Sequence, residues 1–162
     1  MLRFRHLLFL LLFLLPEALP AQRGGTALQT ITLGIQPVLR MQVSGNPEPL
    51  TVGRADAGSE PEEAKDENTR YSIVTNLDNL KIVASISDAM PGGTTLSIAL
   101  QNTRGTSRGR VDISRATSPV EVVTNIPRGA ETDRRITYYF GATAAAGEIS
   151  HASRNVTLTL TN

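Results

Sequence analysis

The sequence predicts an all-β protein, a single antiparallel β-sandwich of about nine or ten strands behind a cleaved signal peptide. Three observations carry this. Apolar residues recur at every second position through most of the chain, and no stretch keeps a helical spacing. Clusters of Gly, Pro, Asn, Asp and Ser separate those stretches at short intervals. Aromatic residues make up 4% of the chain and Trp is absent, so the core must be built from Ile, Leu, Val and Ala.

The chain opens with residues 1–21, which read as a secretory signal. Arg3, Arg5 and His6 form a basic start. LLFLLLFLL at 7–15 is unbroken and apolar, and PEALPA ends in the small Ala21. The run is too short to cross a bilayer, and no second one follows, so no transmembrane anchor is expected. Cleavage after Ala21 would remove Arg3, Arg5 and Glu17. The 16 basic and 15 acidic residues would each fall to fourteen, for a formal charge of zero. Global charge therefore gives no reason to expect nucleic acid as a partner. The sequence contains no Cys. Thiol catalysis and thiolate metal sites are excluded, and an exported bacterial protein is favoured over a disulfide-stapled one.

Residues 22–162 are expected to form one sandwich domain. Within it, 26–35 (TALQTITLGI) alternates, with Ala27, Gln29, Ile31, Leu33 and Ile35 on one side. After Gln36-Pro37 the alternation resumes through Leu39, Met41 and Val43. SGNPEP at 44–49 is turn chemistry, and 50–52 is a short strand at best. Residues 53–69 are polar and acidic and read as a long exposed loop, with a helical turn expected at 62–66 at most. Residues 71–101 carry the cleanest pattern, three strands joined by NLDN at 76–79 and DAMPGG at 88–93. They read as a meander with Leu80, Ile82, Ala84, Ile86, Leu96, Ile98 and Leu100 as core. A basic, Gly-containing loop (NTRGTSRGR, 102–110) comes next, then short strands at 111–113 and 120–123. A further loop spans 124–133. Residues 134–142 (RRITYYFGA) are a strong strand with Ile136, Tyr138 and Phe140 on one face and Tyr139 on the other. Residues 143–153 form a polar connection, and 154–161 (RNVTLTLT) is the closing strand.

ITLGIQPVLRMQVSG, YSIVTNLDNLKIVASISDAMPGGTTLSIAL and the closing RNVTLTLTN together resemble exported bacterial β-sandwich proteins of a fimbrial-subunit-like or surface-domain type. The resemblance implies an Ig-like or fimbrial-like sandwich at the cell surface or in the periplasm, and it implies no catalytic residue. Subunits assembled by a chaperone and usher usually carry a disulfide, which this chain lacks. They also tend to place an aromatic next to the last residue, where Thr161 stands. Strand donation would need an alternating N-terminal arm, and 26–35 has the alternation. Pairing of 26–35 within its own domain is the expectation.

Candidate chemistry is sparse. His6 would leave with the signal, and His151 stands alone in a polar loop, so no Ser-His-Asp set can be built. The acidic run 60–67 offers hard oxygen ligands for Ca²⁺ but lacks the spacing of an EF-hand loop and reads as a solvated charge run. Asn155-Val156-Thr157 is a formal glycosylation sequon, read here as chance. Arg104, Arg108, Arg110 and Arg115 form the basic cluster, and Tyr139 is the outward-facing aromatic. These five are the candidate partner or ligand contacts. No cofactor and no metal is expected. The expected function is a secreted, non-catalytic structural or interaction module of the cell envelope whose partners are other copies of itself, envelope proteins or glycans. The alternative is a carbohydrate- or envelope-ligand-binding module that uses the 53–69 and 102–110 loops. An exported hydrolase has the least support.

Overall fold

The computed structural model describes residues 27–101 and 104–162. The expected signal peptide, Thr26, Asn102 and Thr103 lie outside the described residues. Two units divide the chain, Met1–Gly34 and Ile35–Asn162. The second unit is all-β, and its strands form two antiparallel sheets. They are β1 (Leu39–Ser44), β2 (Ala64–Thr75), β3 (Leu80–Ile86), β4 (Thr94–Leu100), β5 (Thr106–Ser107), β6 (Arg110–Asp112), β7 (Val120–Ile126), β8 (Gly129–Ala142) and β9 (Val156–Thr161). A single 3₁₀ turn at Ala144–Ala146 stands between β8 and β9. The five-stranded sheet has the order β1-β2-β8-β4-β6, and the four-stranded sheet has the order β5-β7-β3-β9. The β-sandwich read from the alternation is therefore the fold.

Its topology differs from the expected meander. From β3 onward, every strand lies in the opposite sheet from the strand before it. The stretch 71–101 contributes β2 to one sheet, β3 to the other and β4 back to the first. None of the three pairs with another; β2 pairs with β1 and β8, β3 with β7 and β9, and β4 with β6 and β8. The physical reason is that period-2 alternation only tells which side of a strand is buried. A tight turn can fold the next strand beside the last one or arch it across the core, and both arrangements bury the same residues. Here Asn79, at φ +58°, turns the chain over the top of the sandwich rather than along one sheet.

The core sits between the sheets. Tyr71, Ile73, Leu96, Ile98, Leu100, Ile136 and Tyr138 line it from the five-stranded side. Leu80, Ile82, Ala84, Ile86, Val123, Ile126 and Leu160 line it from the other. Each large side chain so buried contributes roughly 1.5–3 kcal/mol relative to exposure. Val122 and Val123 are adjacent yet both fully buried. The β3–β7 register explains this, because Ile82 faces Val123 and Val83 faces Glu121, leaving Val122 as the extra residue of a bulge.

Four boundaries also differ from expectation. Residues 64–69 belong to β2 rather than to a loop or helical turn, and the register shift between Asp66 and Thr69 keeps both of those residues buried. Residues 124–133 are not a loop, since β7 runs to Ile126 and β8 starts at Gly129. Residues 50–52 form no strand. Residues 27–37 also form no strand, although 26–35 alternates. Leu28, Ile31, Leu33 and Ile35 are 98%, 71%, 87% and 89% exposed. A free alternating segment gains nothing from its pattern until another strand lies beside it.

Candidate functional site

The outer face of the five-stranded sheet gathers the charged and aromatic residues. Register places Lys65 of β2 opposite Tyr139 of β8, and Tyr139 opposite Ser97 of β4. Lys65 and Glu67 of β2 are two residues apart and point the same way, and Glu63 immediately precedes the strand. The Arg110 guanidinium lies 4.4 Å from the Tyr139 ring centroid, and the Lys65 ammonium lies 5.8 Å from it. Arg110 is held by Glu63 through both oxygens, one of the contacts being 2.8 Å. This fork-to-fork geometry aims the guanidinium plane at the ring. The Glu63 hydrogen bond raises the Arg110 pKa further above its already high value. Lys65 meets Glu67 at 2.9 Å, and Arg135 meets the same carboxylate at 3.4 Å. The Lys65 hydrogen bond, reinforced by the charges of Lys65 and Arg135, holds Glu67 below the usual carboxylate range.

The expected arginine cluster is not one cluster. Arg110 alone joins Tyr139. Arg108 turns to the outer face of the other sheet and pairs with Glu121, which Lys81 also approaches at 3.7 Å. Arg104 donates to the Arg128 carbonyl at 2.9 Å and lies flat against Gly129. Arg115 is exposed in the connection between β6 and β7. Successive strands lie in opposite sheets, so arginines close in sequence are sent to different faces. Sequence reasoning missed Lys65 as a neighbour of Tyr139, and Glu63, Glu67 and Arg135 as the ion-pair partners around it. The alternation E-x-K-x-E at 63–67 was the signal, hidden by reading those residues as a loop.

Four of the acidic residues of the run, Glu60, Glu63, Asp66 and Glu67, are engaged by this network and by backbone contacts. Glu60 accepts from the Ala144 N–H at 2.6 Å, Glu63 holds Arg110, and Glu67 holds Lys65. Asp66 is buried and accepts from Asn68 at 2.9 Å. His151 and Glu148 are exposed. The arrangement presents an aromatic ring flanked by two cations that are themselves paired with carboxylates.

No protein family matches the chain, and no curated protein matches it. Function must therefore be read from its surfaces.

A second surface lies along the sheet edges. Two of the four edge strands are short, β5 with two residues and β6 with three. Short edges resist strand addition. The other two edges, β1 and β9, have six residues each. β1 carries Arg40 at its middle, and its inward row is incompletely covered, with Leu39 and Val43 40% and 42% exposed. A cavity of about 640 Å³ opens beside it, lined by Leu39, Met41, Ile73 and Val74 among others. β9 reads VTLTLT and holds no charge, no Pro and no Gly. Val156 and Leu158 are half-buried, while Thr157 and Thr159 are exposed. β3 is its one sheet neighbour among the described residues, and β1, the edge strand of the other sheet, lies beside it.

Proposed function

We propose that this chain is an exported, non-catalytic interaction module of the bacterial cell envelope or surface, fimbria- or matrix-like, that works by associating with other copies of itself. The observation that carries this reading is the edge strand β9, six residues long and uncharged in a protein that keeps two of its other edges very short. A long, uncharged edge is an aggregation hazard unless it has a use. The leader-like residues 1–21 support export. Light scattering coupled to size-exclusion chromatography over a concentration series tests the reading. The expected outcome is a mass that rises with concentration above that of the monomer. A strictly monomeric protein across the series overturns it.

The Tyr139 face supports a second reading, ligand binding at the envelope. Exposed rings and guanidinium groups recognise sugars and anionic groups. Glycan-array binding that Tyr139→Ala abolishes would favour it, and an array without hits would remove it.

A further inference from the structure

The geometry points to a site for a carboxylated sugar, a hexuronate residue of an acidic polysaccharide, whose carboxylate takes the Arg110 fork that Glu63 fills. This rests on the ligand-binding reading above and names the ligand class. Arg110 gives both terminal nitrogens to Glu63 while its guanidinium lies 4.4 Å from the Tyr139 ring centroid. Ser97 stands in register between Tyr139 and Asp112 on the outer face, yet it is 5% exposed, so the stack lies down over the sheet. A ring against a guanidinium fixes the direction of its fork, and that fork matches a carboxylate. Glu63 occupies it as a tethered ligand would. The backbone on either side of Glu63 is held, since Glu62 donates its N–H to the Arg54 carbonyl at 2.8 Å and Ala64 begins β2. Turning the Glu63 side chain alone empties the fork. The Arg110 and Glu63 side chains are 45% and 34% exposed, and an ion pair so exposed adds little to stability.

The surroundings of the fork favour a sugar over a simple acid. Gly141, two residues beyond Tyr139 on the same face, is the register partner of Thr95. A Cβ on Gly141 would lie 2.8 Å from the Thr95 hydroxyl oxygen and 3.8 Å from a Glu63 carboxylate oxygen. The carboxylate position therefore borders an exposed hydroxyl and a strip of sheet bare of side chains, which suits a ring carrying both a carboxylate and hydroxyl groups. Lys65 supplies a second cation. It reaches Tyr139 from β2 and Arg110 reaches it from β6, strands that lie on opposite sides of β8. Two cations in a row across the sheet match the repeated carboxylates of a polyuronate.

Titration calorimetry at fixed salt tests this with tetragalacturonic acid and its methyl ester as probes. The acid is expected to bind and the ester, which masks the carboxylates, is not. Glu63→Gln removes the internal competitor and should tighten binding of the acid by about two- to five-fold, with a nearly unchanged unfolding midpoint. Arg110→Lys keeps the charge but loses the fork and should weaken binding by about ten-fold or more. Arg108→Lys, on the outer face of the other sheet, should leave it unchanged. Equal losses in the two lysine variants, or a Glu63→Gln variant that binds no tighter than wild type, overturn the proposal. Binding of acid and ester alike that Tyr139→Ala abolishes would leave the ligand-binding reading standing and remove the carboxylate from it. If no variant binds either probe and a glycan array shows no hits, both fall. If Glu63→Gln raises the mass in light scattering with no sugar present, an acidic side chain of a second copy takes the fork and the sugar is excluded.

Discussion

At the scale of single residues, the two buried tyrosines set how the fold responds to alkali. Burial pushes the Tyr138 phenol up to about 12, and the charge of Asp66, its register partner, adds to the shift. Burial raises Tyr71 as well, with the Glu131 carboxylate acting in the same direction. Tyr71 donates its hydroxyl to the Gln101 carbonyl at 2.7 Å, tying β2 to the end of β4. Both groups hold their protons more tightly folded than unfolded, where a phenol ionises near 10. Their contribution is therefore complete below about pH 10 and is lost as the pH rises, for Tyr138 through about 12. Each group can remove at most about 1.4 kcal/mol per pH unit in that window. Urea midpoints measured from neutral pH upward should be level and then fall above about pH 10, and Tyr138→Phe should lessen the fall. A wild-type midpoint that stays level well above pH 10 would show that the phenols ionise without cost. The sequence was informative at this scale. Leu80, Ile82, Ala84, Ile86, Leu96, Ile98 and Leu100 are all buried as expected, because burial of a strand residue depends on its own face and not on its neighbour's identity. The neighbours of Tyr139 were not legible, since they are brought to it from distant strands.

At the scale of elements, turns carry most of the information that alternation lacks. Gly92 and Gly93 sit together before β4, and the structure gives them opposite roles. Gly93 has φ +76°, and a Cβ there would lie 2.8 Å from the Ala146 Cα in the 3₁₀ turn. Its carbonyl accepts from the Thr143 N–H at 2.8 Å, fastening the end of β8 to the start of β4. Gly92 has open space around its Cα and an ordinary φ. Gly93→Ala should cost about 1–3 kcal/mol, through both the left-handed backbone and the clash. Gly92→Ala should be neutral or stabilising by up to about 1 kcal/mol, because it restricts only the unfolded chain. Chemical denaturation of the two variants checks the contrast, and equal effects would mean that the 3₁₀ turn does not pack on Gly93. The dipeptide announces a turn in the sequence. Which glycine is indispensable is not legible there, because the answer lies more than fifty residues away at Ala146. Residues 64–69 were misread for a related reason. Their charges suggested a solvated loop, but alternate residues of a strand on an outer face are free to be charged.

At the scale of the whole molecule, the order of the strands decides what can fold alone. Every sheet pairing except β1 with β2 joins strands that are not consecutive in the chain. The stretch 71–101 has the cleanest pattern, and as a hairpin meander it would fold as a local unit. In this topology its strands have no partner among themselves. They need β1, β6, β7, β8 and β9, drawn from both ends of the sandwich. A synthetic peptide of residues 64–101, spanning β2, β3 and β4, should therefore show no β-sheet circular dichroism and no cooperative melting at concentrations too low for aggregation. A peptide that melts cooperatively would mean that consecutive strands pair, and the two-sheet order would be wrong. Most of these ladders form only after long loops close, so refolding should be slow for a chain of this size.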